Sequence, residues 1–216
     1  MPIEAHRRTA LRRIAAGVAG TVAVAAGFVT WAVHRPDVLL AKGRCYGGAP
    51  VKKKALVVYA TRAGSTGEVA QVISERHCAM GFDAEVQPVD SVSSVSDYQA
   101  VVLGSAVRYG AWLPEMTKFI AFQQSALSQL PVAIFTLHMQ ALGDDTASQT
   151  TRAGYTKAVR AVVNPRDEVF FAGKVDPKTL SFFERMAVKL VKAPVGDKRD
   201  WNRIRRCADG LSESLR

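Results

Sequence analysis

Residues Ala55 to Thr66 read ALVVYATRAGST, an apolar run that stops at a loop of hydroxyls around a single glycine. A helix-like pattern follows from Gly67 to Met80. A short run with no polar alternation fits a strand covered on both faces, and such strands belong to parallel sheets wrapped in helices. A buried strand that feeds a loop and then a helix presents backbone amides to an anion at the helix N-terminus. These residues therefore point to an α/β design and mark one end of its sheet as a candidate cofactor site.

The rest of the chain agrees. Ala55–Ala60, Ala84–Val89, Ala100–Ser105, Val132–Leu137 and Val169–Ala172 read as strands. Between and after them, Gly67–Met80, Pro114–Gln124, Thr151–Val163, Leu180–Lys192 and Trp201–Leu215 have helical spacing. Gly81 closes the first helix as a C-cap, and Pro114 opens the second. Strands alternating with helices predict a flavodoxin-like, doubly wound, five-stranded parallel sheet over residues 55–216, with its ligand site at the C-terminal strand ends.

Charge separates this domain from what precedes it. The chain carries a formal net charge of +10, with 29 Lys and Arg against 19 Asp and Glu. Residues 1–54 hold 10 of those cations and 2 of the anions, which leaves the domain nearly balanced. A nucleic-acid partner would need a basic stripe on the domain itself, so none is expected. The basic segment instead brackets Ile14–Val33, twenty residues without a charge, which is long enough for a transmembrane or signal helix. Residues 1–34 thus read as a targeting or anchor segment and 35–54 as a basic linker.

Membrane lipid is the partner this arrangement predicts. Within it, His6 to Arg12 resembles a twin-arginine export signal through Arg7, Arg8, Leu11 and Arg12, although Ala10 stands where a bulky apolar residue is usual. An ordinary basic leader is the alternative. Ala23-Val24-Ala25 fits a cleavage site, yet the apolar start it would leave favours retention as an anchor. The expected location is the cell membrane, with export favoured over a cytoplasmic face.

Two loops carry the candidate chemistry. Thr61, Arg62, Ala63, Gly64, Ser65 and Thr66 form the first, with hydroxyls for a phosphate and a glycine for a tight turn. No Gly-Lys-Ser/Thr follows, so it is not a nucleotide triphosphate loop, and no GxGxxG marks a dinucleotide site. Ser105, Ala106, Val107, Arg108, Tyr109 and Gly110 form the second, where Tyr109 is able to stack on a planar ring. Cys45, Cys78 and Cys207 show no metal-ligand spacing, so no metal site is expected. Cys78 and Cys207 read as helix packing residues and Cys45 as a linker thiol.

TRAGST together with GSAVRYG resembles the flavodoxin superfamily, and within it the branch of bacterial menaquinone-dependent protoporphyrinogen IX dehydrogenases. The match to a T-x-x-G-x-T loop rests on Thr61, Gly64 and Thr66. Ala172-Gly173, the stretch Arg185 to Leu190 and Asp200-Trp201 add to it. The resemblance implies FMN, with Thr61–Thr66 on its phosphate, Ser105–Gly110 along the isoalloxazine, and Leu137 and His138 closing the other side. It also implies a quinone acceptor and a porphyrinogen substrate. Arg108 would stabilise negative charge on the ring or meet a propionate, and His138 would move protons; these two are the catalytic candidates. Residues 138–152 share little identity with the branch, and the stretch between Ala172 and Trp201 is shorter. A flavodoxin-type electron carrier, serving a redox partner protein and lacking its own substrate, is the alternative. Such carriers are usually acidic, and this domain is not.

Overall fold

The computed structural model describes residues 38–48, 53–190 and 194–216. The apolar stretch 14–33, the paired arginines and the cleavage motif lie outside the described residues. Among the described residues no helix is long and apolar enough to cross a membrane.

Residues 38–176 and 193–216 form one compact unit. Five of its strands make the predicted parallel core. They are β2 (Lys54–Ala60), β3 (Asp83–Pro88), β4 (Ala100–Arg108), β6 (Val132–His138) and β7 (Asp167–Ala172). They lie side by side in the order β3-β2-β4-β6-β7. Counted along the chain, that order is 2-1-3-4-5, the doubly wound arrangement whose switch point falls between the first and third strands, here β2 and β4.

Two short strands enlarge the predicted sheet. β1 (Gly43–Cys45) pairs antiparallel with β3, so part of the segment read as a linker belongs to the sheet. β5 (Ala111–Trp112) folds back on the end of β4. Glycine and arginine give β1 no apolar alternation, which is why its sequence reads as linker. Near the C-terminus, β8 (Lys174–Val175) and β9 (Gly196–Asp197) form a separate two-stranded ladder.

The alternation along β2 explains the layers. Ala55, Val57 and Tyr59 face a core built with Val69, Ala70 and Ile73 of helix α1 (Ser65–Ala79) and Ile204, Ala208 and Leu211 of α7 (Trp201–Ser214). Leu56, Val58 and Ala60 face the opposite core, with Met116, Phe119 and Ile120 of α2 (Pro114–Phe122). Each fully buried large side chain contributes roughly 1.5–3 kcal/mol. Both faces of the strand are dry, as its uninterrupted apolar run requires.

The predicted helix 151–163 differs most from the structure. It begins earlier, as α4 (Thr146–Tyr155), and breaks at Thr156 before α5 (Lys157–Arg160). The Asp145 side chain accepts from the Ser148 amide at 2.9 Å and sets the start. The helix predicted over 114–124 likewise ends at Phe122, before a short α3 (Gln124–Leu127). Gly81, at φ +96, ends α1 as predicted, donating to the Cys78 carbonyl at 2.9 Å.

Residues 177–192 fall in a second unit. Its helix α6 (Phe182–Leu190) opens on a capping box. The Glu184 carboxylate accepts from both the amide and the hydroxyl of Ser181, each at 3.0 Å. Arg185, Lys189, Phe183, Met186 and Leu190 are all exposed.

One buried polar pair joins α1 to α7. The Ser212 hydroxyl donates to the Ala208 carbonyl at 2.8 Å, so it accepts from His77 Nδ1 at 2.9 Å. That leaves Nε2 with the ring's lone pair, buried and without a partner among the described residues. Burial holds the His77 pKa down at about 4, against small raising effects from the Ile73 carbonyl and Asp209. The unfolded chain therefore takes up a proton that the folded chain refuses as pH falls below about 6.5. Stability is expected to fall by roughly 2–3 kcal/mol between pH 7 and pH 4.5. Urea denaturation at the two pH values checks this, and His77→Gln should flatten the dependence.

Candidate functional site

Sheet register brings the predicted loops together. Ala60 pairs with Ser105, Ala106 with Leu137, and His138 with Ala172. The C-terminal ends of β2, β4, β6 and β7 are thus adjacent, and the chain turns to opposite faces after β2 and β4. A doubly wound sheet binds its ligand at that place.

The first loop runs straight into α1. Gly64 sits at the N-cap with φ +84, a left-handed conformation that glycine adopts without strain. Thr61 Oγ1 accepts from the Gly64 amide at 3.0 Å, which closes the turn. Gly64 has no side chain to cap the helix, so among the described residues its first amides keep their donors for an outside acceptor. Thr66 is buried, and its hydroxyl has no partner among the described residues. Ser65 is buried beside it. Arg62 points elsewhere, into an ion pair with Glu115 at 3.1 Å.

The stretch ahead of β1 reaches this loop. A Cβ built on Gly64 would stand 2.6 Å from Val38 Cγ1. Tyr59 donates to the Ala41 carbonyl at 2.8 Å. Burial pushes the Tyr59 hydroxyl up to about 12, so it remains a donor across the working pH range.

The second loop is a hairpin that sequence reading missed. β4 continues to Arg108, pairs Val107 with Trp112 and Arg108 with Ala111, and turns through Tyr109 and Gly110. Both turn residues have positive φ, +53 and +77, as a type I′ turn requires. Asn-Gly is the usual signal for such a turn, and Tyr-Gly lacks it. Tyr109 is 90% exposed, with the Arg108 guanidinium 5.0 Å from its ring centre.

The base of the hairpin is fixed. Trp112 Nε1 donates to Thr136 Oγ1 at 2.9 Å, and the buried Ser105 hydroxyl accepts from the Leu113 amide at 3.1 Å. Ser105 therefore anchors the hairpin with its hydroxyl. Ala106, Val107 and Arg108 are half-buried along the strand end, and Gly110 is exposed.

Leu137 and His138 are the last residues of β6, and both are buried. The His138 ring lies 5.7 Å from Tyr155 and 6.3 Å from Phe170, centre to centre. Its Nδ1 meets the Gln140 carbonyl at 2.5 Å, so Nδ1 carries the proton and Nε2 the lone pair. Burial lowers its pKa against the raising effect of the Gln140 carbonyl, and the Arg152 and Arg203 charges add to the lowering. His138 is thus a neutral base at neutral pH. Arg152 holds the following loop, donating to the Ala141 and Gly143 carbonyls at 2.6 Å.

Sequence reading also missed Arg199. Its side chain is 3% exposed, bonds Asp197 at 2.7 Å and Glu68 in the first turn of α1 at 2.9 Å, and stacks 4.4 Å from the Trp201 ring centre. Asp200 and Trp201 were legible as a helix start, but the arginine before them carried no signal of its own.

The donor set fits a phosphate with an attached planar ring. An uncapped helix N-terminus with an orphaned buried hydroxyl suits the phosphate. An exposed aromatic on an anchored hairpin at the next strand end suits the ring. No group of three or more His, Cys, Asp or Glu able to hold a metal occurs among the described residues.

Fold and site together define a doubly wound α/β domain of the flavin-binding type. The flavodoxin domain profile matches residues 56–202, and the chain belongs to that family. Among curated relatives, the protoporphyrinogen IX dehydrogenase [quinone] of Escherichia coli K12 is 23% identical over 150 residues, covering 68% of this chain and 83% of the relative. The protein of that name from Leishmania major is 26% identical over 174 residues, 74% of each chain. Among solved structures, the apo form of an NADH:FMN oxidoreductase, EMOB, shares the fold with a TM-score of 0.50 at 9% identity, covering 76% of this chain and 90% of that one.

Proposed function

We propose that this chain is a membrane-tethered, FMN-dependent oxidoreductase that takes electrons from a porphyrinogen such as protoporphyrinogen IX and delivers them to a quinone. The observation that carries the reading is the convergence of Thr61–Thr66, Ser105–Gly110 and Leu137–His138 at one end of the sheet. Two curated relatives named protoporphyrinogen IX dehydrogenase [quinone] support the substrate class. The uncharged stretch 14–33 and the basic, apolar helix α6 support the tether.

Thr61–Thr66 would hold the FMN phosphate, with the amides of the first turn of α1 and the Thr66 hydroxyl as donors. Tyr109 and the rest of the hairpin would lie along the ring, and Leu137 and His138 would close its far side. FMN, when bound, supplies the electron-accepting ring. The protein's share is orientation, exclusion of water and charge. Arg108 brings a guanidinium to the hairpin tip, where it would meet negative charge on the ring or a substrate carboxylate. His138 offers the Nε2 lone pair for a substrate proton, and its depressed pKa keeps that lone pair free.

The test uses the full chain in carbonate-washed membranes. The chain should pellet with the membranes. After detergent extraction under anaerobic conditions, its visible absorbance should bleach with protoporphyrinogen IX and return with a menaquinone analogue. A flavin spectrum indifferent to porphyrinogen would leave the electron-carrier reading, and the absence of any flavin would sink both.

A further inference from the structure

Cys45 and Cys78 were expected to be unrelated, one a linker thiol and the other a packing residue. The fold brings them to one corner. Cys45 closes β1 and pairs with Ala84. Cys78 lies in the last turn of α1, whose chain turns at Gly81 and enters β3 at Asp83. The Cys45 thiol donates to the Ser74 carbonyl at 3.7 Å, one helical turn before Cys78. Ser74 is four residues before Cys78, and its carbonyl is the one that the Cys78 amide meets in helical bonding, so the Cys45 sulfur lies beside the Cys78 backbone. Both cysteines are half-buried and reduced in this structure. Cys207, in α7, packs instead at the edge of the first core.

We infer that Cys45 and Cys78 form an intramolecular disulfide that clamps β1 to α1. A thiol held against the last turn of α1, on a strand already fixed by its pairing with β3, comes within the reach that disulfide geometry demands of Cys78 in that turn. The oxidant is an organic disulfide, acting by thiol exchange. The Cys45 thiolate attacks one sulfur of that disulfide and expels its other half as a thiolate, giving a mixed disulfide on Cys45. The Cys78 thiolate then attacks the Cys45 sulfur and expels the second half. Two protein thiols lose two protons and two electrons, and the external disulfide becomes two thiols. Burial and the neighbouring Cys45 push the Cys78 thiol up.

The clamp would join residues far apart in sequence, so it removes conformational freedom from the unfolded chain and raises Tm. The inference is independent of the flavin reading, because none of Thr61–Thr66, Ser105–Gly110, Leu137 and His138 takes part.

The test treats the purified, reduced full chain with oxidised glutathione, then alkylates the remaining thiols and maps peptides by mass spectrometry. Alkylatable cysteines should fall from three to one, with a single cross-linked peptide pair containing Cys45 and Cys78. Tm should rise by roughly 5–10 °C on oxidation and return with dithiothreitol. Cys45→Ala and Cys78→Ala should abolish that response, whereas Cys207→Ala should keep it. Three alkylatable thiols after oxidation, glutathione adducts alone, a cross-link through Cys207, or a cross-link without a gain in Tm would each overturn the inference.

Discussion

Replacing Thr66 by valine is expected to weaken FMN binding by roughly 10- to 100-fold while leaving the apo-domain as stable as before, or more so. The hydroxyl is buried at the start of α1 and bonds nothing in the described structure. A buried polar atom without a partner is a liability, so an isosteric methyl in its place does not harm the fold. A hydrogen bond to a charged phosphate is worth about 1.5–3 kcal/mol, which sets the expected loss of affinity. Thr66→Leu should go further, because the extra bulk fills the place of the ligand, and that variant should purify colourless. Isothermal titration with FMN and a thermal melt separate the two effects. Unchanged FMN affinity in Thr66→Val would remove Thr61–Thr66 as the phosphate loop. A large drop in Tm would mean that the hydroxyl serves the fold instead.

Gly104→Ala is expected to destabilise the domain by about 1–3 kcal/mol, lowering Tm by roughly 3–10 °C. Gly104 sits in the middle of β4, paired with Tyr59 on one side and Phe135 on the other. A Cβ there would stand 2.0 Å from the Phe135 ring, well inside contact distance. Phe135 is fully buried against Phe171, so the ring has little room to withdraw. Pairing the substitution with Phe135→Leu should recover part of the loss, a coupling that a double-mutant cycle measures. An unperturbed melt for Gly104→Ala would show that the ring can move aside. The position matters for the site because Ser105, the hairpin anchor, is the next residue.

What the sequence disclosed follows from what burial does to residue choice. β2, β4 and β6 were legible because strands dry on both faces are mostly apolar, and the break in each run marked its loop. The first loop was legible because glycine and hydroxyls at a helix start have a physical reason to be there. The hairpin was not, since its turn uses Tyr109 in a conformation that asparagine or glycine normally supplies. Of the contacts that fix the site floor, Trp112 to Thr136 joins residues that are neighbours only after β4 and β6 pair, and Ser105 to Leu113 forms only once the hairpin closes. His138 was legible as a residue at a strand end, but not that it is buried there between Tyr155 and Phe170. Arg199 was invisible for a similar reason: its partner Glu68 lies 131 residues away in sequence. Asp145 was the one signal overlooked, an acidic cap three residues before a serine that would have placed the start of α4.

The short strand β1 bears on how these molecules behave at high concentration. An open sheet edge is a template on which a second chain can add a strand, and natural sheets avoid growth by blunting it. β3 would present such an edge, and β1 occupies it with only three residues, one of them Arg44 in an ion pair with Glu85. A newcomer would find too few free amides and carbonyls to build on and a charge in its way. The same few residues that lead from the N-terminal segment into the domain thus guard this margin against runaway polymerisation.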